Sequence, residues 1–510
     1  MATFVVRRLI ASVFILLAAT YLMYILTALS GDPLEDLRTS TAPNKAQLIE
    51  ARTNLLNLDV PAYLRYFIWI AGVGKCFIGQ CDLGVTVQNQ PVVILLQQAA
   101  SSTIQLVSIA TVIAIILGLV VGITTALRQY SGYDYGVTFL SFLFFSLPIF
   151  WVAVLLKQYI AIGFNDFLEE PGIAGWLMPI LAAISGLIWM SILPSKGIRR
   201  LITFGTAALA TAAALVYMDL SDWFSYPQLG IVGVALTAIG AAFGVTVVST
   251  GLKNRRALHA SLVVAGVAIA MYFPFMYGIS YYLELWSFLA LAVATVLVSF
   301  GIGWFMGGPD RRPVARTAAI VGFLVGAVIT LDRFMSVWNV YATSGRIKDR
   351  PIATIGSATP GLEGSLWVHG VDVFTHLLLP TLALILISFA TYTRYSRASL
   401  LEVMNQDYIR TARAKGLSER TVVVRHAFRN ALIPIATIVA FDIGGIIGGA
   451  VITERVFGWT GMGALFQNGL DKVDPNPVMA FFLVTGGLAI LFNLIADLVY
   501  ASLDPRIRVS

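Results

Sequence analysis

Runs of about twenty apolar residues recur from one end of this chain to the other. A window of that length and composition is what a helix needs to cross a bilayer, and no single soluble core hides so many. Counting windows places spans at about 9–29, 103–127, 137–162, 175–194, 201–218, 228–249, 258–279, 285–305, 317–334, 375–394, 431–453 and 478–500. In hydrocarbon every backbone amide must be satisfied within its own segment, so runs of this length predict helices. With 58% hydrophobic and 12% charged residues, the chain is predicted to be an all-α polytopic membrane protein of about twelve helices.

The loops set the orientation. Arg128; Lys196, Arg199 and Arg200; Lys253, Arg255 and Arg256; and Arg311, Arg312 and Arg316 alternate with loops holding Asp219, Asp222 and Glu284. The positive-inside rule places the first group in the cytoplasm and the second outside, with both termini cytoplasmic. Arg7 and Arg8 precede a first run too long for a cleaved leader, so a retained anchor is expected. The net charge of +7 is explained by these loops and implies no nucleic-acid partner. Lipid is the surrounding phase.

Catalytic and metal chemistry is missing from the pattern. Two cysteines and four histidines on distant segments give no metal site. Cys76 and Cys81 fall outside the membrane, where a disulfide and free thiols are both open. Gly72-Val73-Gly74-Lys75-Cys76 is the nearest approach to a phosphate-binding loop, but it lacks the upstream glycine, carries Cys76 for Ser/Thr and lies outside. The chain is therefore expected to be no enzyme and to hold no cofactor, with any ATP and magnesium bound by other subunits.

Charge concentrates in one cytoplasmic segment, 395–430. From Ser396 to Asn430 seven Lys/Arg stand against three acids. Asp407 is placed to cap a short helix through Ala414, with Tyr408, Ile409 and Ala412 on one face; Gly416 stops it, Leu417 projects, and Ser418 caps a second helix from Glu419 to Leu432, Pro434 marking entry into the membrane. The predicted unit is a projecting elbow.

The run Asp407-Tyr408-Ile409-Arg410-Thr411-Ala412-Arg413-Ala414-Lys415-Gly416-Leu417, with Arg429-Asn430-Ala431-Leu432-Ile433-Pro434 after it, resembles the cytoplasmic loop of permease subunits of ATP-binding-cassette importers, nearest the dipeptide/oligopeptide branch. Arg410-Thr411-Ala412 replaces the superfamily's Glu-Ala-Ala, and Pro434 falls later than the general spacing. Further likenesses are Leu58-Asp59-x-Pro61-x-Tyr63-x-Arg65-Tyr66, Asp82-Leu83-Gly84-Val85-Thr86, Ser146-Leu147-Pro148-x-Phe150, Asp372 with His376-Leu377-Leu378-Leu379-Pro380, and Glu454-x-Val456-Phe457-x-x-x-Gly461-x-Gly463. The resemblance covers about residues 1–165 and 370–510.

It implies a six-helix permease core of the type I importer fold, split into 1–165 (with an outer segment 30–102) and 375–510. A six-helix module at 166–335 and an outer loop at 336–374 lie between. The module has no counterpart in the family core, and its even span count preserves the downstream orientation. The resemblance also implies a second permease subunit, two ATPase subunits seated on the elbow, and an extracytoplasmic solute-binding protein. Peptides are the implied solute, with nickel or another small solute as the alternative.

Within the spans, Asp442 and Asp497 stand out, with Lys157 near a span end. Asp442 is read either as lining the solute path or as bridging neighbouring helices, and Pro148 with Phe150 as a kink near the path or as simple packing. Gly118 and Gly122, and Gly444, Gly445, Gly448 and Gly449, suit close helix contact. Two other classes remain: a stand-alone ion-coupled transporter, which intramembrane carboxylates would serve, and a membrane transferase, for which the outer acids are too scattered.

Overall fold

The computed structural model describes residues 2–193 and 197–503; Lys196, Arg506 and Arg508 lie outside it, as do the side chains of Arg8, Arg420 and Asp497. The described residues are helical almost throughout, with one isolated bridge between Val85 and Pro91. Ten helices among them are long and apolar enough to cross a membrane, and Leu177–Ile192 is a shorter apolar one. The span expected at 431–453 lies in the helix Phe428–Phe457, many of whose side chains, with the surroundings of Gly444, Gly445, Gly448 and Gly449, are outside the described residues.

Packing divides the chain into two units. The first comprises 1–161, 354–357 and 377–510; the second 162–353 and 358–376. In the second, small residues form the seams: Val234, Ala238 and Ala242 meet Val264, Ala265, Ala318 and Val321 in one buried cluster. Gly322 lies against Ser299 and Gly303 against Ala315 and Ala318, approaches that a larger side chain would prevent. Asp332, fully buried, accepts from Leu229 N and Gly230 N at 2.5 and 3.3 Å and from Tyr272 Oη at 2.6 Å. It thus satisfies the open N-terminus of the helix Gly230–Ser249. Asp372 plays a similar part, accepting from Thr359 N and Oγ1 and from Tyr341 Oη.

In the first unit the helix Ala2–Leu29 packs on Pro475–Leu503 and on Ala62–Gly74. Tyr66 donates to Leu17 O at 3.2 Å and lies edge-on to Tyr21 and Tyr24, fastening Ala62–Gly74 to the first helix. Cys76 and Cys81 are disulfide-bonded. Gly118 and Gly122 admit Tyr392 and Ser396 of the helix Leu366–Met404.

Several sequence expectations shift. The outer segment is helical at Glu35–Thr39, Lys45–Leu55 and Ala62–Gly74, and the second long helix begins at Val92, about ten residues before the expected edge. Hydropathy marks only the lipid-buried part of a helix, so polar extensions escape it. For the same reason Leu366–Met404 overruns its expected 375–394 at both ends; 39 residues give about 58 Å at 1.5 Å each, near twice the hydrocarbon thickness. Pro148 does not kink one helix but separates two, Gly132–Ser146 and Ile149–Leu155, because Leu147 and Pro148 are extended (ψ 129° and 139°). Pro434, expected to mark entry into the membrane, lies inside Phe428–Phe457. Nearby, Ser399 Oγ donates to the carbonyl of Ala431 at 2.9 Å.

Candidate functional site: a basic elbow and a carboxylate clamp

The elbow is built on the helix Asp407–Ala414. Its inner face is Ile409 and Ala412, buried in a cluster with Ala126, Leu400, Val422, Ala427 and Ala431. Tyr408, expected on that face, is instead 43% exposed, its hydroxyl accepting from Asn430 Nδ2 at 3.0 Å. Asp407 is not the cap either: Gln406 is the extended N-cap residue, and the Asp407 carboxylate, in the first turn, favours the positive helix end.

The helix ends on Gly416 at φ +76°, with Leu417 N donating to Ala412 O and Gly416 N to Arg413 O, the paired closure that a left-handed residue permits. Ser418 Oγ accepts from Thr421 N, and Arg413 pairs with Glu419 across the glycine at 2.7 Å. That pair is exposed, so it adds orientation more than stability. It raises the Arg413 pKa and lowers that of Glu419. The outer face presents Asp407, Arg410, Arg413, Ala414, Lys415, Gly416 and Leu417, all exposed, and open space lies where a side chain on Gly416 would project. At the root, Arg397 Nε and Nη2 grip the Asp134 carboxylate at 2.9 and 3.0 Å. Burial alone would raise the Asp134 pKa, but the bonds from Arg397 and the Tyr130 amide outweigh it and hold the carboxyl below its ordinary range.

The motif Glu454 to Gly463 is a clamp around one carboxylate. Glu454, in the last turn of Phe428–Phe457, is fully buried and accepts from Thr103 Oγ1 at 2.6 Å, Gly463 N at 2.6 Å and Ala464 N at 3.2 Å. Thr103 Oγ1 in turn accepts from Met462 N at 2.8 Å. Phe457 is 2% exposed beside it. Gly458 at φ +58° repeats the elbow's helix ending, with Trp459 N on Glu454 O at 2.8 Å. Gly461 and Gly463 are glycines for want of room: a Cβ on the first would strike the Glu454 carboxylate, and on the second would lie 2.5 Å from Val451 Cα.

Beside it, the Asp82-to-Thr86 motif docks on residues 474–476. Asp474 accepts from Val87 N at 2.8 Å, Asn476 Nδ2 donates to Val85 O at 2.7 Å, and Trp69 Nε1 reaches Leu83 O. Burial pushes the Asp474 pKa up to about 6, against the amides of Val87 and Asn476 and the charge of Lys472. A folded pKa above the unfolded one means that this docking is most stable when Asp474 is protonated and weakens as pH rises through 6. We expect it to be on the order of 1 kcal/mol more stable at pH 5 than at pH 7. Amide exchange at residues 83–92 measures this, and Asp474→Asn should flatten the dependence.

Pro148 starts the helix Ile149–Leu155, which packs against Phe428–Phe457; Phe150 is 49% exposed on it. Asp442 is half-buried with its carboxylate beside the Tyr392 hydroxyl. Among the described residues no cluster of His, Cys, Asp and Glu is arranged to hold a metal. Thr103, Asp134 and Asp474 had no motif to mark them; each acts through a partner more than 250 residues away, too far for spacing to reveal.

The helices and apolar spans among the described residues are those of a multi-pass membrane protein. The family model described as "Binding-protein-dependent transport system inner membrane component" matches residues 261–509. Over 155 residues the chain is 44% identical to the oligopeptide transport system permease protein OppB of Mycobacterium tuberculosis, covering 30% of this chain and 48% of that one. Over 177 residues it is 36% identical to the dipeptide transport system permease protein DppB of Escherichia coli K12, covering 34% and 52%. The chain spans about half the length of the curated relatives it matches. Over the matched residues the chain is similar to binding-protein-dependent transport inner membrane components and to permease proteins named for oligopeptide and dipeptide transport.

Proposed function

We propose that this chain is a pathway-forming subunit of an ATP-driven, binding-protein-dependent importer of di- or oligopeptides. It pairs with a second permease subunit, receives solute from an extracytoplasmic binding protein, and takes its energy from two ATPase subunits docked on the elbow. The observation that carries this reading is the elbow itself: an apolar face seated in the bundle and an outward face of Arg410, Arg413, Lys415, Gly416 and Leu417 left open. A helix held so firmly on one side passes a push on the other into the spans below it. The relatives' names support peptides as the solute.

The test is reconstitution. Co-expressed with its ATPase, partner permease and binding protein in liposomes, the chain should support peptide uptake that requires ATP and stops when the binding protein is omitted. An ion-coupled transporter is the second reading, resting on half-buried Asp442; uptake by this chain alone, driven by a proton gradient, would establish it instead.

The orientation has its own check. In this reading Lys253, Arg312 and Arg410 are cytoplasmic, whereas Glu170, Asp222 and Glu363 lie outside. Single cysteines at the last three should react with an impermeant reagent in intact cells. Labelling at position 253 would show that the helices of the 166–335 module have been threaded wrongly.

A further inference from the structure

The helices Val92–Leu127, Gly132–Ser146 and Leu366–Met404 enclose a cavity of about 170 Å³, bordered among others by Thr125, Ser141, Phe142, Thr393, Arg394 and Arg397. Hydroxyls inside membrane helices ordinarily donate to a carbonyl one turn back, as Thr124, Thr125 and Ser396 do here. Ser141 and Thr393 do not. They are 1% and 2% exposed, and neither hydroxyl has a hydrogen-bond partner among the described residues. Two unmet donors on one small cavity call for an acceptor within it.

Charge points the same way. Arg397 is committed to Asp134. Arg394, one turn earlier in the same helix, has no carboxylate partner among the described residues; its guanidinium lies 4.9 and 4.6 Å from the ring centroids of Phe142 and Phe145. The cavity therefore carries one uncompensated positive charge. Ser141 lies about 10 Å along its helix from Asp134 at 1.5 Å per residue, within a few ångströms of the headgroup layer when that turn sits at the water's edge. Phe142 and Phe145, 53% and 56% exposed, extend an apolar surface beside it.

We propose that the cavity holds the phosphate of an anionic phospholipid, its charge against Arg394 and its oxygens accepting from Ser141 and Thr393. A phosphodiester matches the site because it offers acceptors only, carries a single negative charge and is tethered to acyl chains that can lie along Phe142 and Phe145. The inference rests on the bundle being in a membrane and not on which solute it moves.

Native mass spectrometry of the purified full-length chain tests it. Through delipidation the chain should keep one phosphatidylglycerol that phosphatidylcholine does not replace. Arg394→Gln, and separately the paired Ser141→Ala/Thr393→Val variant, should each lower that retention about fivefold or more. Should Arg394→Gln fail to fold, the paired variant, which keeps charge and nearly keeps volume, decides alone. Equal retention in wild type and the variants overturns the site. Thermal protection by inorganic phosphate matching that by phosphatidylglycerol overturns a lipid as its source.

Discussion

Glu454→Ala is expected to lower the stability of the folded chain by about 3 kcal/mol or more, the cost of leaving buried donors without an acceptor. The alanine strands Thr103 Oγ1, Gly463 N and Ala464 N together, and Thr103 is itself the acceptor that fixes Met462 N. Glu454→Gln should cost less, since it keeps one acceptor oxygen in nearly the same volume. Gly463→Ala should rival Glu454→Ala for a different reason, its methyl meeting Val451 and the carboxylate. Thermal unfolding in detergent, followed by size-exclusion chromatography, ranks the three. A melting midpoint for Glu454→Ala equal to that of wild type would refute the clamp as a structural element.

The second large effect is on coupling. Gly416→Trp is expected to abolish ATP-dependent uptake and release the ATPase subunits while membrane insertion remains normal. Two costs separate cleanly here. Any side chain other than glycine pays for the φ of +76°, roughly 1 kcal/mol, least for asparagine. Only a large one also obstructs the open space facing outward. Gly416→Asn should therefore keep assembly and substantial uptake, and Gly416→Trp should lose both. Co-purification of ATPase subunits with the tryptophan variant at wild-type yield, with transport intact, would remove the elbow from the coupling role.

The fold was readable from hydropathy because lipid imposes one rule on every span, and the elbow's boundaries followed from Gly416 and Ser418, whose preferences are local. What local rules do not reach is the partner across the fold. Glu454 was visible in the sequence as one letter of a motif; Thr103, which supplies one of its bonds, stands in an ordinary apolar run. Asp134 stands between two predicted spans, and nothing near it in the sequence points to Arg397. Tyr408 shows the limit from the other side: helical periodicity placed it with Ile409 and Ala412, but a 100° step per residue leaves it at the rim, where Asn430 captures its hydroxyl. Asp332 escaped because a lone carboxylate in an apolar span carries no sign of the helix end it serves.

Phe428–Phe457 runs unbroken from just beyond the elbow to the clamp, 30 residues or about 45 Å at 1.5 Å each. It acts as a connecting rod. The wider π-helical turn Val422–Ala427 joins it to the elbow, and Glu454 fixes its far end to Thr103 and the segment after Gly461. With no loop in between to absorb motion, a tilt imposed at the elbow end is expected to swing the clamp end as well, so a rearrangement at one end of this rod is felt at the other.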